Sequence, residues 1–478
     1  MNYLRSLEPE TKVRFFSEFI VKFSSFLIIP IITYKIGIKE YGEYVLILCI
    51  INGIVPILLL GLNFSIIKKL ASVNNIKINT IKLFSSFSLI SFLSLLLFSF
   101  FLIISTLNYR DFFLINILIS LISYFTSIQL LFYEFLRSKL KSNLFCYFQI
   151  FDSVFLIVFT LIIDFLLKLN LINFLYILTF LKVLIIFLIS LVIIKLKIIN
   201  LKFISLDKNL TKKYIYPGLI FVCLGISEWL LNFSDKIILS YFLSPLYLSV
   251  YFTAGMFASS LNSVGSVFWW DLFPKFNKLK KKNNYKKIYE IIRKKNKIFI
   301  DFSIYIILCL IILSPLIQTY LLNSSFEVSY FIYLIFFMSV FSHQISTGWE
   351  FFCYIKNEGK FVVINSIIWG IISFSLYSLV IPSLKIYGAL FSLLISKLGY
   401  TLSLIIFSRK KGFKGEIIEK ESFINIISFS ITFLIFIIFI NINAISNNLF
   451  ITSIIYLIIS LILYIFINKI LNLISKNT

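Results

Sequence analysis

Apolar runs long enough to cross a lipid bilayer follow one another almost without pause from Phe15 to Ile470. A spanning helix takes roughly 20 consecutive apolar residues. A soluble globule cannot hide that many, because it must also present a polar surface. The composition agrees: 60% of the 478 residues are hydrophobic and 14% charged, against about a quarter charged in a soluble domain. The mean hydropathy is +0.99. The runs are continuous and do not alternate in segments of about ten residues, which argues against a membrane barrel. The sequence therefore predicts an all-α polytopic membrane helix bundle.

About fourteen transmembrane helices are expected, at 15–36, 41–67, 83–107, 112–135, 145–167, 171–194, 214–242, 246–273, 298–322, 329–354, 361–380, 387–407, 422–442 and 449–470. The net charge of +24 would suggest nucleic acid in a soluble chain. Here the charge sits in short connectors, and no nucleic-acid partner is implied. One alternating set of connectors and the two ends hold 36 of the 45 Lys and Arg, and the opposite set holds five, Lys35, Lys39, Arg110, Lys168 and Lys385. The positive-inside rule then puts both termini and the basic loops in the cytoplasm. The N-terminal MNYLRSLEPETKVR is polar and of mixed charge, so the first run is expected to stay as a helix and not to be cleaved as a signal. The KKK run at Lys280–Lys282 reads as a solvated topogenic loop before it reads as a lipid-binding patch.

The two longest connectors, around 195–213 and 275–297, are both basic. A faint repeat runs at an offset of 210 residues: Ser17-Glu18 matches Ser227-Glu228, Phe23-Ser24 matches Phe233-Ser234, and Ile28, Tyr41 and Asn52 match Ile238, Tyr251 and Asn262. Tyr133-Glu134-Phe135 and Trp349-Glu350-Phe351 add a second echo. A parallel repeat of this kind gives two six-helix lobes plus two C-terminal helices. The boundaries are 1–213 for the first lobe, 214–421 for the second and 422–478 for the C-terminal pair.

A charge at the bilayer centre costs at least about 2.5–3.5 kcal/mol, so charges within the spans mark candidate sites. Glu18 and Lys22 share a face of the first span, in the favourable order. Gln149 and Asp152 share a face of the fifth span, with Asp164 and Glu134 near helix ends. Lys182 lies at mid-depth in the sixth span. Glu228 and Asp235, with Lys236 beside them, lie in the seventh, and Lys397 is central in the twelfth. We expect Lys22, Lys182, Lys236 and Lys397 to hold an anionic headgroup in a wet cavity, and Glu18, Asp152, Glu228 and Asp235 to pair with them or bind a coupling ion. The bland alternative is a set of structural pairs and snorkelling lysines. His343 reads as a hydrogen-bonding group between helices before it reads as a proton relay. Pro30, Pro56 and Pro315 within apolar runs favour kinks. The five cysteines form no CxxC pair and read as buried thiols. No catalytic residue, cofactor or metal site is expected.

The opening IIPIITYKIGIKEYGEYVLILCIINGIVPILLLGLNFSIIKKLA resembles that of bacterial polysaccharide flippases of the O-antigen type, in the multidrug/oligosaccharidyl-lipid/polysaccharide exporter superfamily. The likeness lies in a proline-bearing first helix, the Gly37, Tyr41, Gly42, Tyr44 connector, and Gly61-Leu62 before Lys68-Lys69. SDKIILSYFLSPLYLSVYFTAGMF resembles the second-lobe opening, with Ser249 in place of the family glycine. The resemblance implies a two-lobed bundle working by alternating access. Its substrate would be an undecaprenyl-pyrophosphate-linked oligosaccharide repeat unit, turned across the bacterial inner membrane. The partners implied are that lipid-linked oligosaccharide, membrane lipids and other polysaccharide-assembly membrane proteins. A cation or multidrug exporter of the same architecture is the nearest rival. A membrane polysaccharide polymerase or glycosyltransferase is a rival of another class, disfavoured by the short external connectors and the lack of a DxD motif.

Overall fold

The computed structural model describes residues 9–62, 76–108, 113–138, 142–198, 202, 208–269, 276, 284–321, 329–412, 420–442, 458–469 and 471. The helices are α1 (Pro9–Lys35), α2 (Ile38–Leu59), α3 (Ile76–Asn108), α4 (Phe113–Ser138), α5 (Ser142–Leu167), α6 (Leu171–Lys195), α7 (Lys208–Asn232), α8 (Ser234–Phe242), α9 (Pro245–Ala258), α10 (Ser260–Trp269), α11 (Tyr285–Leu321), α12 (Tyr330–Ile355), α13 (Gly359–Lys410) and α14 (Lys420–Ile442). A final helix, α15, covers Ile458–Lys469. No strand occurs among the described residues. Lys280–Lys282 lie outside them.

The described residues of each of the fourteen expected spans fall largely on helix. By length and composition, eight of the described helices could cross a membrane, or nine if α7 and α8, bent by 41°, form one span. The difference from fourteen has local causes. α13 joins two expected spans across a kink at Lys385, whose φ of 50° is not helical, and Gly388 there approaches the Val380 carbonyl too closely for a Cβ. α9 and α10 are halves of one span, broken at Ser259. The described apolar parts of α3, α14 and α15 are shorter. Pro30 and Pro56 lie inside α1 and α2, which continue through them. The breaks fall instead at Phe233, Ser259 and Lys385.

The outward surface is apolar. Phe92, Leu95, Phe165, Leu379 and Ile462 are all exposed, Phe165 at 88%. Lipid as solvent accounts for this. Inside, serines close their hydroxyls on carbonyls one turn back, as Ser123 does on Ile119, Ser127 on Ser123 and Ser339 on Phe336. Such small residues let helices approach closely without leaving a polar group unpaired.

The chain divides into two compact units: Met1–Ser249 with Ser366–Ser378, and Val250–Asn365 with Leu379–Thr478. In the first unit α1 packs on α5, α4 on α3, α2 and α6, and α7 and α8 on α2. The α2–α7 seam is built on glycine. A Cβ on Gly61, at φ +65°, would stand 2.0 Å from the Gly218 carbonyl oxygen, and one on Gly225 would stand 2.7 Å from Pro56. Gly53 faces Trp229, whose indole donates to the Cys49 carbonyl at 2.7 Å. Through this seam α7 packs on α2 within the first unit. In the second unit α12 packs on α10 and α11, and α14 on α11.

The connector motif is structural. Gly37 takes φ 106° before α2, Tyr41 is buried, and Gly42 leaves room for Pro245. Tyr44 meets Phe174 edge-on at 5.0 Å. Residues paired by the 210-residue offset sit alike at Ser17/Ser227, Ser24/Ser234, Ile28/Ile238 and Tyr41/Tyr251, all buried. They differ at Glu18/Glu228 and Phe23/Phe233.

Candidate functional site

Polar side chains from four helices of the first unit meet in one network. On α1, Arg14 forms an ion pair with Glu18 one turn on. It also donates to Gln149 Oε1 of α5 at 2.6 Å, and its guanidinium lies 4.9 Å over the Phe145 ring. Phe145 meets Tyr133 of α4 edge-on at 5.0 Å. The Tyr133 hydroxyl accepts from Gln129 at 2.7 Å, and Gln129 also donates to Asp152 Oδ2 at 2.9 Å. Asp152 receives Lys182 Nζ of α6 at 2.7 Å. Gln149 and Asp152 lie three residues apart on α5, which closes the ring. Asp152 and Lys182 keep about a fifth of their side chains exposed, at 22% and 19%. The pair is therefore not sealed, unlike one in the core.

The first helix thus pairs Glu18 with Arg14, the last residue of the polar N-terminal stretch. Lys22 is half-buried one turn further on. At the ends of α5 and α4, Asp164 bridges to Lys35 at 2.7 Å and Glu134 to Arg137 at 2.7 Å. Both acids had been expected near helix ends.

A second buried pair sits where α7 bends into α8. Lys236 Nζ lies 2.9 Å and 3.0 Å from the two Asp235 carboxylate oxygens and donates to the Asn232 carbonyl at 2.7 Å. The Asp235 side chain has no exposed surface and that of Lys236 has 9%. The break at Phe233 frees carbonyls that a continuous helix would occupy, and Lys236 takes one. Glu228, two turns earlier on α7, is exposed.

In the second unit the charges gather between α12 and α13. Lys397 is 5% exposed. One turn on, Thr401 donates to the Ser342 carbonyl of α12 at 2.9 Å. The Tyr400 hydroxyl donates to Glu350 Oε1 at 2.9 Å, and Ser346 donates to the same oxygen at 3.2 Å. The His343 ring lies 5.2 Å from that of Tyr400. Its Nδ1 is buried and makes no hydrogen bond, so the expected bond between helices is not made at that atom.

Lys182 and Asp152, and Lys236 and Asp235, are thus brought together, while Glu18 is drawn to Arg14 and Glu228 is exposed. Sequence reading missed the roles of Arg14, Gln129 and Tyr400. It also missed Asp301 of α11, which accepts from Asn425 of α14 at 2.5 Å. Spacing within one helix cannot reveal partners on another. The one available signal for Glu350 was its echo of Glu134. The thiols of Cys49, Cys146 and Cys353 are buried, that of Cys309 is half-buried, and Cys223 is exposed.

A protein-family profile described as polysaccharide biosynthesis protein matches residues 11–280. No curated protein matches the chain in sequence. Among solved structures, the chain is similar to the lipid II flippase MurJ in an inward closed conformation, with TM-score 0.62 and 14% identity, covering 97% of this chain and 98% of that one. It is also similar to the MATE multidrug transporter DinF-BH, with TM-score 0.63 and 15% identity, covering 86% and 96%. A MOP superfamily transporter from Pyrococcus furiosus gives TM-score 0.61 and 11% identity, covering 85% and 97%. At these identities the likeness is one of fold.

Proposed function

This chain belongs to the polysaccharide biosynthesis protein family, and from that premise we propose that it is a flippase. It carries an undecaprenyl-pyrophosphate-linked oligosaccharide, of the O-antigen or a similar surface polysaccharide, across the bacterial cytoplasmic membrane by alternating access. Its termini face the cytoplasm, and lobes 1–213 and 214–421 are the moving bodies, with 422–478 as a C-terminal pair. The observation that carries this reading is the part-exposed Lys182–Asp152 pair. An ammonium group in a low-dielectric setting attracts phosphate strongly. Asp152 holds Lys182 between substrates, and Gln129 remains to satisfy the carboxylate when the lysine turns to the pyrophosphate. Lys397 plays the corresponding part in the second unit, and Lys22 and Lys236 add positive potential. Alternating access then needs two conformers close in energy that the substrate biases by differential affinity.

A second reading, export of cationic drugs, rests on the likeness to a multidrug transporter. Deleting the gene in its own strain separates the two. The flippase reading expects surface polysaccharide to be lost while lipid-linked repeat units accumulate inside. Unchanged surface glycan with reduced dye efflux would establish the drug exporter instead.

A further inference from the structure

Helix α11 starts well before its apolar run. Over its first turns Lys286, Lys287, Glu290, Arg293 and Lys294 are exposed, while Ile288, Ile292 and Asn296 are buried. The spacing puts four cations and one acid on a single face. This stretch is packed against its neighbour. Tyr289 lies 5.5 Å from the Phe352 ring of α12, and Lys356 Nζ sits 4.1 Å over the ring of Tyr285.

The same end of the second unit carries the last turn of α13. Arg409 and Lys410 are exposed there, and Phe407 stacks on Phe361 at 3.6 Å. Lys411 bridges to Glu358 at 2.6 Å, which takes up one of the few acids. Residues 352–361 touch both groups, so the ends of α11, α12 and α13 form one continuous basic rim. The apolar run of α11 begins directly after it, with Phe299 and Ile300 buried. The rim therefore lies at the depth of lipid headgroups, with Tyr285 and Tyr289 where interfacial aromatics are expected.

We propose that this rim docks the anionic headgroups of acidic phospholipids. A basic segment beside a membrane gains affinity from each cation, on the order of fivefold per Lys or Arg, and the gain falls off with salt. An unstructured basic loop would spread that gain over many positions. Here packed side chains fix the cations in the headgroup plane. The proposal requires only that the chain spans a membrane and is independent of its substrate.

The test uses the full chain in detergent, supplied with phosphatidylglycerol or phosphatidylcholine. Retained lipid is read by native mass spectrometry and thermal stabilisation by melting. The expected result is preferential retention of phosphatidylglycerol and stabilisation by it. Both should drop at least about fivefold in K286Q/K287Q/R293Q/K294Q and less in R409Q/K410Q. The corresponding Lys→Arg variant should keep both. Wild-type preference should weaken as salt rises. Equal phosphatidylglycerol retention by the α11 variant, or a preference indifferent to salt, would overturn the proposal. Equal stabilisation by glycerol phosphate would also overturn it, in favour of a soluble-anion site. If the glutamine variant fails to fold, the arginine variant and the salt series still decide the question.

Discussion

The acids Glu18, Asp152 and Asp235 of the first unit each face a cation: Arg14, Lys182 and Lys236 respectively. In the second unit Glu350 is held instead by the hydroxyls of Tyr400 and Ser346. The two arrangements respond differently to change. A buried ion pair needs both members, because removing one strands the other in a medium that cannot solvate it. A carboxyl bonded by hydroxyls can give way to an amide that still accepts the same bonds. The first unit is therefore the brittle one electrostatically, and Asp152–Lys182 is its part-exposed pair.

The comparison breaks hardest at Asp235. Lys236→Met should destabilise the protein by about 3–5 kcal/mol, read as a lowered melting midpoint in detergent. Asp235→Asn added to it should restore most of the loss. A mild effect of Lys236→Met alone would mean that the pair is not what holds α8 in place. Gly61→Val comes next, at about 1–3 kcal/mol or somewhat more, because its Cβ would strike the Gly218 carbonyl and its φ of +65° suits glycine. Poor recovery of folded protein is the expected readout, and normal yield would mean the α2–α7 seam opens readily. Lys182→Met should cost about 1–2 kcal/mol, between the exposed and buried limits. Glu350→Gln sharpens the contrast from the other side, with a loss under about 1 kcal/mol. A loss as large as that of Lys236→Met would erase the distinction between the units.

Helix positions were legible because hydrocarbon forces each span to declare itself as an unbroken apolar run. The turn at Lys385 was legible as the connector between the spans 361–380 and 387–407, with Pro382 beside it, whereas the break at Phe233 lies inside one apolar run and carries no proline. Pro30 and Pro56 lie inside helices that run on past them. At the candidate site, Asp152 and Lys182 stood out because charge inside a span is costly. Their pairing with each other, and with Gln129, depended on how α4, α5 and α6 face one another. Arg14 was hidden by its position among N-terminal basic residues. The role of Gly61 and Gly218 depended on a close approach between helices more than 150 residues apart in sequence.

The central claim is that Lys182 and Lys397 handle the phosphate of a lipid-linked substrate. The most direct measurement introduces Lys182→Ala and Lys397→Ala, singly and together, into a strain lacking the chromosomal copy. Membrane-inserted protein, surface polysaccharide and lipid-linked repeat units are then quantified side by side. The account predicts protein in the membrane, surface polysaccharide lost and lipid-linked units accumulating, most severely in the double variant. Full surface polysaccharide in the double variant would contradict it.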